Sequence, residues 1–159
     1  MALTKDIPIR SVGPKKIPVA APLPSGVTVY SGSIALIDSS GLLKNASSPA
    51  TTDTCIGLIG EPTGATPPKT GPGIVGAGST QSTYNYIDCV TGTFLLASGK
   101  GADALTEATA GATVYVIDEQ TVGKLSTGRP PAGVQLPIEP TTPTGFVPIK
   151  MNSFGGTGP

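Results

Sequence analysis

The chain has 159 residues, a length that fits one domain with tails, and its ten basic and ten acidic residues give a formal net charge of zero. Only 13% of its residues are charged, and the absence of a basic excess argues against nucleic acid as a ligand. No apolar run is long enough to span a membrane, and the first residues lack the apolar core of a signal peptide, so we expect no membrane partner and folding in a cytosol.

Residues 1–24 are predicted to form a separate, extended N-terminal arm. Five prolines in this stretch exclude a helix and a central strand. Its net charge is +3, because Lys5, Arg10, Lys15 and Lys16 outweigh Asp6. Fully extended at about 3.3 Å per residue, the arm would reach roughly 80 Å. Such a segment is either a disordered terminus or an arm laid along a large partner, with those four basic residues as candidate contacts.

Residues 25–150 are predicted to form an all-β domain, because short β-branched and aromatic segments alternate with Gly- and Pro-rich turns. The expected strands are 27–30, 33–38, 42–46, 55–60, 84–90, 93–97, 113–117, 121–125, 132–136 and 146–150. Ser39-Ser40-Gly41 and Asp118-Glu119-Gln120 are expected to turn two hairpins. The spacing predicts a small antiparallel β-barrel or sandwich, with one helical turn at 105–110 and a flexible tail at 151–159.

Residues 61–82 are rich in Gly and Pro and are predicted to form one long loop. A structureless connection of this length is uncommon in a compact domain and is usually functional or mobile. It is a second candidate contact surface, and a solvated loop explains it equally well. Within it, 71–76 spells G-x-G-x-x-G, but no helix follows to hold a pyrophosphate, so nucleotide binding is not expected.

The residues that carry chemistry are sparse, and we expect no catalytic, cofactor-binding or metal-binding site. The chain has no histidine, which removes the commonest general base and metal ligand. The aspartates fall singly at strand ends and turns, where they bond nearby backbone amides. Asp118-Glu119 is the adjacent acidic pair, and its place in a turn indicates that it is solvated. Cys55 and Cys89 lack metal-site spacing and are expected to be buried free thiols.

Several segments together resemble the small capsid cement, or decoration, proteins of tailed bacteriophages. They are MALTKD, GVTVYSGSIALIDSSGLL, CIGLIGE, YNYIDCVTGTFLLAS and DALTEATAGATVYVIDEQTVGKLSTGRPPAGVQL, in this order along the chain. The most specific block is 105–134, which combines a short turn, G-x-x-V-Y-V, an acidic turn and a return to A-G-V. The resemblance implies a β-rich protein on the outer surface of an icosahedral head, a virion component that clamps neighbouring major capsid subunits, often as a homotrimer.

Two other functions stay open at this point. A phage fibre or adhesin domain that binds host glycans would need exposed aromatic side chains, and Tyr84 and Tyr86 are the candidates. Their alternate spacing places both on one face of a strand, which is more often a core face. A hydrolase that uses isolated carboxylates is the other alternative. The resemblance carries no catalytic residues to this chain.

Overall fold

The computed structural model describes residues 3, 11–13, 16–60, 69–70 and 73–151. These residues form thirteen strands and two single turns of 3-10 helix. The strands are β1 Lys16–Leu23, β2 Thr28–Val29, β3 Ile34–Ile37, β4 Leu43–Lys44, β5 Thr54–Ile59, β6 Lys69–Thr70, β7 Gly73–Val75, β8 Asn85–Thr91, β9 Thr93–Ser98, β10 Thr113–Val116, β11 Thr121–Gly123, β12 Pro131–Gln135 and β13 Phe146–Met151. The 3-10 turns are Gly101–Asp103 and Glu107–Thr109.

One antiparallel sheet has the strand order β1-β8-β5-β3-β4. Its first strand, Lys16–Leu23, belongs to the stretch predicted as a separate arm, so the domain begins earlier than the sequence indicated. The prolines permit this because β1 is an edge strand, where only one side of the backbone must supply donors to a neighbour. A hydrogen-bonded sheet therefore includes the last third of residues 1–24.

The second half of the chain closes into a five-stranded barrel with the order β10-β11-β9-β13-β12. Every pair in it is antiparallel except β9 and β11, which run parallel. The prediction of an all-β fold with a small antiparallel β-barrel or sandwich is confirmed, and the parallel β9–β11 pair is a departure from it.

A small third sheet, β2-β7-β6, takes two of its strands, β6 and β7, from the stretch that the sequence predicted as one long loop. Residues 61–68 and 71–72 of that loop lie outside the described residues, but β6 and β7 pair with each other, and β7 pairs with β2. Ile74 of β7 is fully buried, so this part of the stretch belongs to the core. Strand Gly73–Val75 also occupies the second half of the G-x-G-x-x-G match, where a nucleotide-binding site would need a helix.

The hydrophobic core joins the first sheet to the barrel. The larger of two buried clusters contains Ile34 and Leu36 from the sheet together with Phe94, Val114 and Ile149 from the barrel. The smaller cluster lies under the sheet and includes Leu23, Ile56, Ile74 and Ile87. Because one apolar cluster draws side chains from both halves, the described domain has a continuous interior.

The predicted turns match the structure well. Gly41 adopts a φ of +78° between β3 and β4, and the preceding Asp38 side chain accepts a hydrogen bond from the Ser40 amide. The helical turn expected at 105–110 is present as Glu107–Thr109. Met151 ends β13, and the predicted tail beyond it lies outside the described residues. In the part of the chain that is described, no helix is long and apolar enough to cross a membrane.

Candidate contact surface

The outer face of the barrel carries an apolar groove of about 450 Å³, which we call the Val12 groove. Strands β9 and β13 form its floor, and the segment after β12 forms one wall. Its apolar lining consists of Val12, Leu95, Leu136, Pro137 and Pro148. Threonine hydroxyl groups and the Glu139 carboxylate complete the lining. The groove therefore offers apolar contact together with a single negative charge.

Val12 is held in this groove by its backbone. Ser11 forms an antiparallel bridge with Phe94, and the Val12 N–H donates a hydrogen bond of 2.9 Å to the Thr93 carbonyl oxygen. The Val12 side chain is nevertheless 53% exposed, which makes it the most exposed large apolar residue among those described. A valine fixed by its backbone and left open to solvent is a ready contact point for another molecule.

The structure does not bring the predicted basic contacts together at this groove. Lys5, Arg10 and Lys15 lie outside the described residues. Lys16 opens β1 opposite Thr91. Sequence reasoning missed the groove itself, because its lining combines Val12, strands β9 and β13 and the 136–142 segment, which no local pattern connects.

The isolated aspartates act on nearby backbone groups, as the sequence predicted. The Asp118 carboxylate accepts hydrogen bonds of 3.0 Å from the amides of Gln120 and Thr121 in the β10–β11 turn. Partial burial opposes ionisation, but the Gln120 amide and the side chain of Thr121 help to hold the pKa of Asp118 below its usual range. These contacts are turn-forming and account for the carboxylate without a ligand.

Asp53 is a buried carboxylate that is paired rather than free. Its side chain is 3% exposed, accepts the Ala50 amide at 2.7 Å and lies 2.9 Å from the Lys44 ammonium group. A buried charge needs such a partner, since removal of one member leaves the other uncompensated. The pair fixes the turn between β4 and β5.

Glu119 departs from the prediction, which placed the Asp118-Glu119 pair in solvent. Glu119 is only 1% exposed. The turn that carries it folds onto the first sheet, where the Ile34 amide donates a 2.7 Å hydrogen bond to the Glu119 carbonyl oxygen. The side-chain oxygen Oε2 accepts a 2.7 Å hydrogen bond from the Leu3 amide, and no group of the described residues donates to Oε1. The prediction of a solvated pair was wrong because a contact distant in sequence buries the turn.

Both cysteines are free and buried, as predicted. Burial raises the pKa of Cys55 to about 11. Burial, with the charges of Asp88 and Cys55 as smaller causes, raises the pKa of Cys89 to about 12. Thiols of this kind are protonated near neutral pH, whereas nucleophilic and metal-binding cysteines need the thiolate.

The two candidate tyrosines differ in their exposure to solvent. Tyr86 is 43% exposed, and its hydroxyl group donates to the Gln81 carbonyl oxygen at 3.2 Å. Tyr84 precedes β8 and is half-buried. The expectation that this face is core is wrong for Tyr86, because the neighbouring residue Ile87, on the other face of β8, is the one that is buried.

Within the described ranges, no three Cys, Asp or Glu side chains come close enough together to hold a metal ion. In the comparisons with known proteins, no family model, no curated protein and no solved structure matches the chain.

Proposed function

We propose that this protein is a capsid cement protein of a tailed bacteriophage, which binds the outer surface of the head and strengthens contacts between major capsid subunits. The sequence resemblance supplies the class of assembly. The single observation that carries the proposal is Val12, an exposed apolar side chain held by its backbone at the edge of an apolar groove.

The Val12 groove suits an extended segment of a capsid subunit. Apolar surface of the segment that is buried against the groove floor stabilises binding by roughly 25 cal/mol per Å². Glu139 at the wall favours a basic side chain on the incoming segment. Because hydrogen bonding already fixes Val12, less conformational entropy is lost on binding. A stable interface needs about 800 Å² on each partner, more than the groove alone supplies. The basic arm and a homotrimeric arrangement would add the remaining area.

Binding to purified heads that lack the protein tests the proposal. We expect Val12→Asp to lower the affinity at least tenfold, because a carboxylate would be desolvated against the apolar lining and would lie near Glu139. Leu125→Asp is the matched control, since Leu125 is also an exposed apolar residue, at 43%, and does not line the groove. Equal retention of both variants on heads in a sedimentation assay would overturn the proposed surface.

A deletion of residues 1–10 tests the contribution of the arm. This deletion spares Ser11 and Val12 as well as strand β1, whereas removal of residues 1–24 would also take an edge strand from the sheet. We expect weaker head binding with an unchanged circular dichroism spectrum. Mass spectrometry of purified virions is the simpler first measurement, and absence of the protein from them would refute the cement function.

Glycan binding is the second candidate function, and the exposed Tyr86 ring is the observation that favours it. Sugar rings stack on accessible aromatic faces, and Tyr86 offers one such face at a strand near the sheet edge. A glycan array with wild type and Tyr86→Ala decides between the two. Hits that disappear in the variant would support an adhesin, and an empty array would dismiss it.

A further inference from the structure

The Glu119 carboxylate is the buried side chain that the functions considered above leave unexplained. It is 1% exposed, and one of its two oxygens has no hydrogen-bond partner among the described residues. A buried carboxylate that is not fully hydrogen-bonded is costly, so natural proteins seldom retain one without a use. The turn around it does not require this side chain, because Asp118 already receives the amides of Gln120 and Thr121.

The other carboxylate oxygen has a partner that is distant in sequence. The amide of Leu3 donates to Glu119 Oε2 at 2.7 Å, across 116 positions of the chain. A hydrogen bond from a backbone amide to an ionised carboxylate is roughly twice as strong as one between neutral groups. Because a backbone N–H is common to every residue type except proline, this contact recognises backbone rather than a particular side chain.

We propose that Glu119 is a receptor site for the chain's own N-terminal end, which docks on the β10–β11 turn through the backbone amide of Leu3. The covalent path allows this. Ser11 is anchored at Phe94 of β9, and eight residue steps separate it from Leu3, a reach of about 26 Å when extended. Strand β9 pairs with β11 directly beyond the turn that carries Glu119, so both anchor points lie on the same barrel.

The described residues fill only one of the acceptor positions of the Glu119 carboxylate. A carboxylate can accept about four hydrogen bonds, and Oε2 receives one from Leu3 while Oε1 receives none from this part of the chain. The segment is therefore held by a strong contact but not by a complete set of them. A surface that supplies more hydrogen bonds to Leu3 would therefore displace it from Glu119. The inference concerns the free chain and stands whether or not the protein binds a phage head.

Amide hydrogen exchange in the full-length protein, followed by NMR, tests the docking. We expect the Leu3 amide to exchange at least tenfold more slowly than in an unstructured peptide, and Glu119→Ala to remove this protection. Glu119→Gln keeps the shape of the side chain and should retain part of the protection, since the charge is lost and an acceptor stays. Glu107→Gln is the matched control at an exposed glutamate and should leave Leu3 protected.

A spin label at Leu3→Cys then identifies which chain docks. The label should react with this position alone, because both native thiols are buried. We expect paramagnetic broadening of the Gln120 and Thr121 amide signals when the spin label and ¹⁵N are in the same chain. We expect no broadening when spin-labelled chains without ¹⁵N are mixed with ¹⁵N chains that carry no spin label. Broadening between chains would overturn docking within one chain in favour of exchange between copies. An unprotected Leu3 amide in the wild type would overturn the site itself, and neither result depends on capsid binding.

Discussion

Gly57 and Val90 approach each other so closely across β5 and β8 that only glycine fits. A Cβ atom on Gly57 would lie 2.1 Å from the Val90 carbonyl oxygen. Gly57 also has a φ of +122°, in a region that residues with side chains rarely adopt. It lies opposite Ala35 beside a register shift between β3 and β5. The central strand of the first sheet therefore depends on this glycine for both its packing and its conformation.

Gly57→Ala should lower the free energy of unfolding by roughly 3–5 kcal/mol, because a steric clash adds to backbone strain. Gly41→Ala is the control, since Gly41 has a φ of +78° and a methyl group there would meet no atom within 4 Å. Gly41→Ala should lower the free energy of unfolding by only about 1–2 kcal/mol, from backbone strain alone. Urea denaturation measures both, and equal losses would show that the Val90 contact is unimportant.

The contacts of the Asp103 carboxylate predict that the protein loses stability in acid. Its carboxylate lies 2.8 Å from Arg129 Nη1 and accepts the Leu125 amide at 3.1 Å. Although desolvation opposes ionisation, these two hydrogen bonds hold the pKa of Asp103 below its ordinary value. A lowered pKa in the folded state means that the stabilisation is present above about pH 4 and is lost as the pH falls through the folded pKa.

Asp103→Asn should therefore lower the free energy of unfolding by about 1 kcal/mol at pH 7. The difference from wild type should shrink as the pH falls below about 4, where both side chains are neutral. Thermal unfolding between pH 2 and 7 measures this, with Glu107→Gln as an exposed control that should follow the wild type. A difference that stays constant with pH would contradict the ion-pair explanation.

The two buried thiols predict a second dependence of stability on pH, in which stability falls as the pH rises. Their pKa values of about 11 and 12 in the folded state exceed the ordinary thiol value of about 8.5. The stabilisation is thus complete below about pH 8.5 and is lost as the pH rises towards the folded values. In the double variant Cys55→Ala, Cys89→Ala, the free energy of unfolding should no longer fall with rising pH between about pH 9 and 11. Native protein should also resist Ellman's reagent until it unfolds, and rapid native labelling would contradict the burial.

The hydrogen bonds of Gln135 predict a loss of stability together with a local increase in hydrogen exchange. Its side-chain amide donates to the Thr106 carbonyl oxygen at 2.8 Å and accepts from the Thr109 hydroxyl at 2.7 Å, while the residue is fully buried. Gln135→Leu should lower the free energy of unfolding by roughly 1–3 kcal/mol, because both hydrogen bonds are lost. Hydrogen exchange should rise mainly in the 3-10 turn Glu107–Thr109. Thr109→Val, which removes one of the two partners, should give a smaller increase at the same amides.

The strands and hairpins were predictable because their signals are local. Gly41 after two serines marks a turn, and β-branched runs such as Thr113–Val116 mark strands. The aspartate contacts at turns were predictable for the same reason, since Asp118 bonds amides two and three positions onward. These features require no knowledge of distant parts of the chain.

Three of the features that sequence reasoning missed depend on distant contacts. Proline density concealed β1, whose pairing with β8 joins residues about 70 positions apart. The local sequence places Glu119 in a turn, and only the contact with Ile34 shows that the turn is covered. The Val12 groove likewise combines segments that no local pattern connects.

The arrangement of strand edges has a consequence for solubility. A chain without net charge has little electrostatic repulsion between copies, and open strand edges then invite copies to stack into fibrils. Within the described part of the chain, the barrel closes on itself and has no open edge. The first sheet ends on one side in β4, which is two residues long, and on the other in β1, where Pro18 and Pro22 supply no amide donors. Because charge repulsion between copies is weak, the closed barrel and the short or proline-containing edges of the first sheet are the features that oppose edge-to-edge pairing.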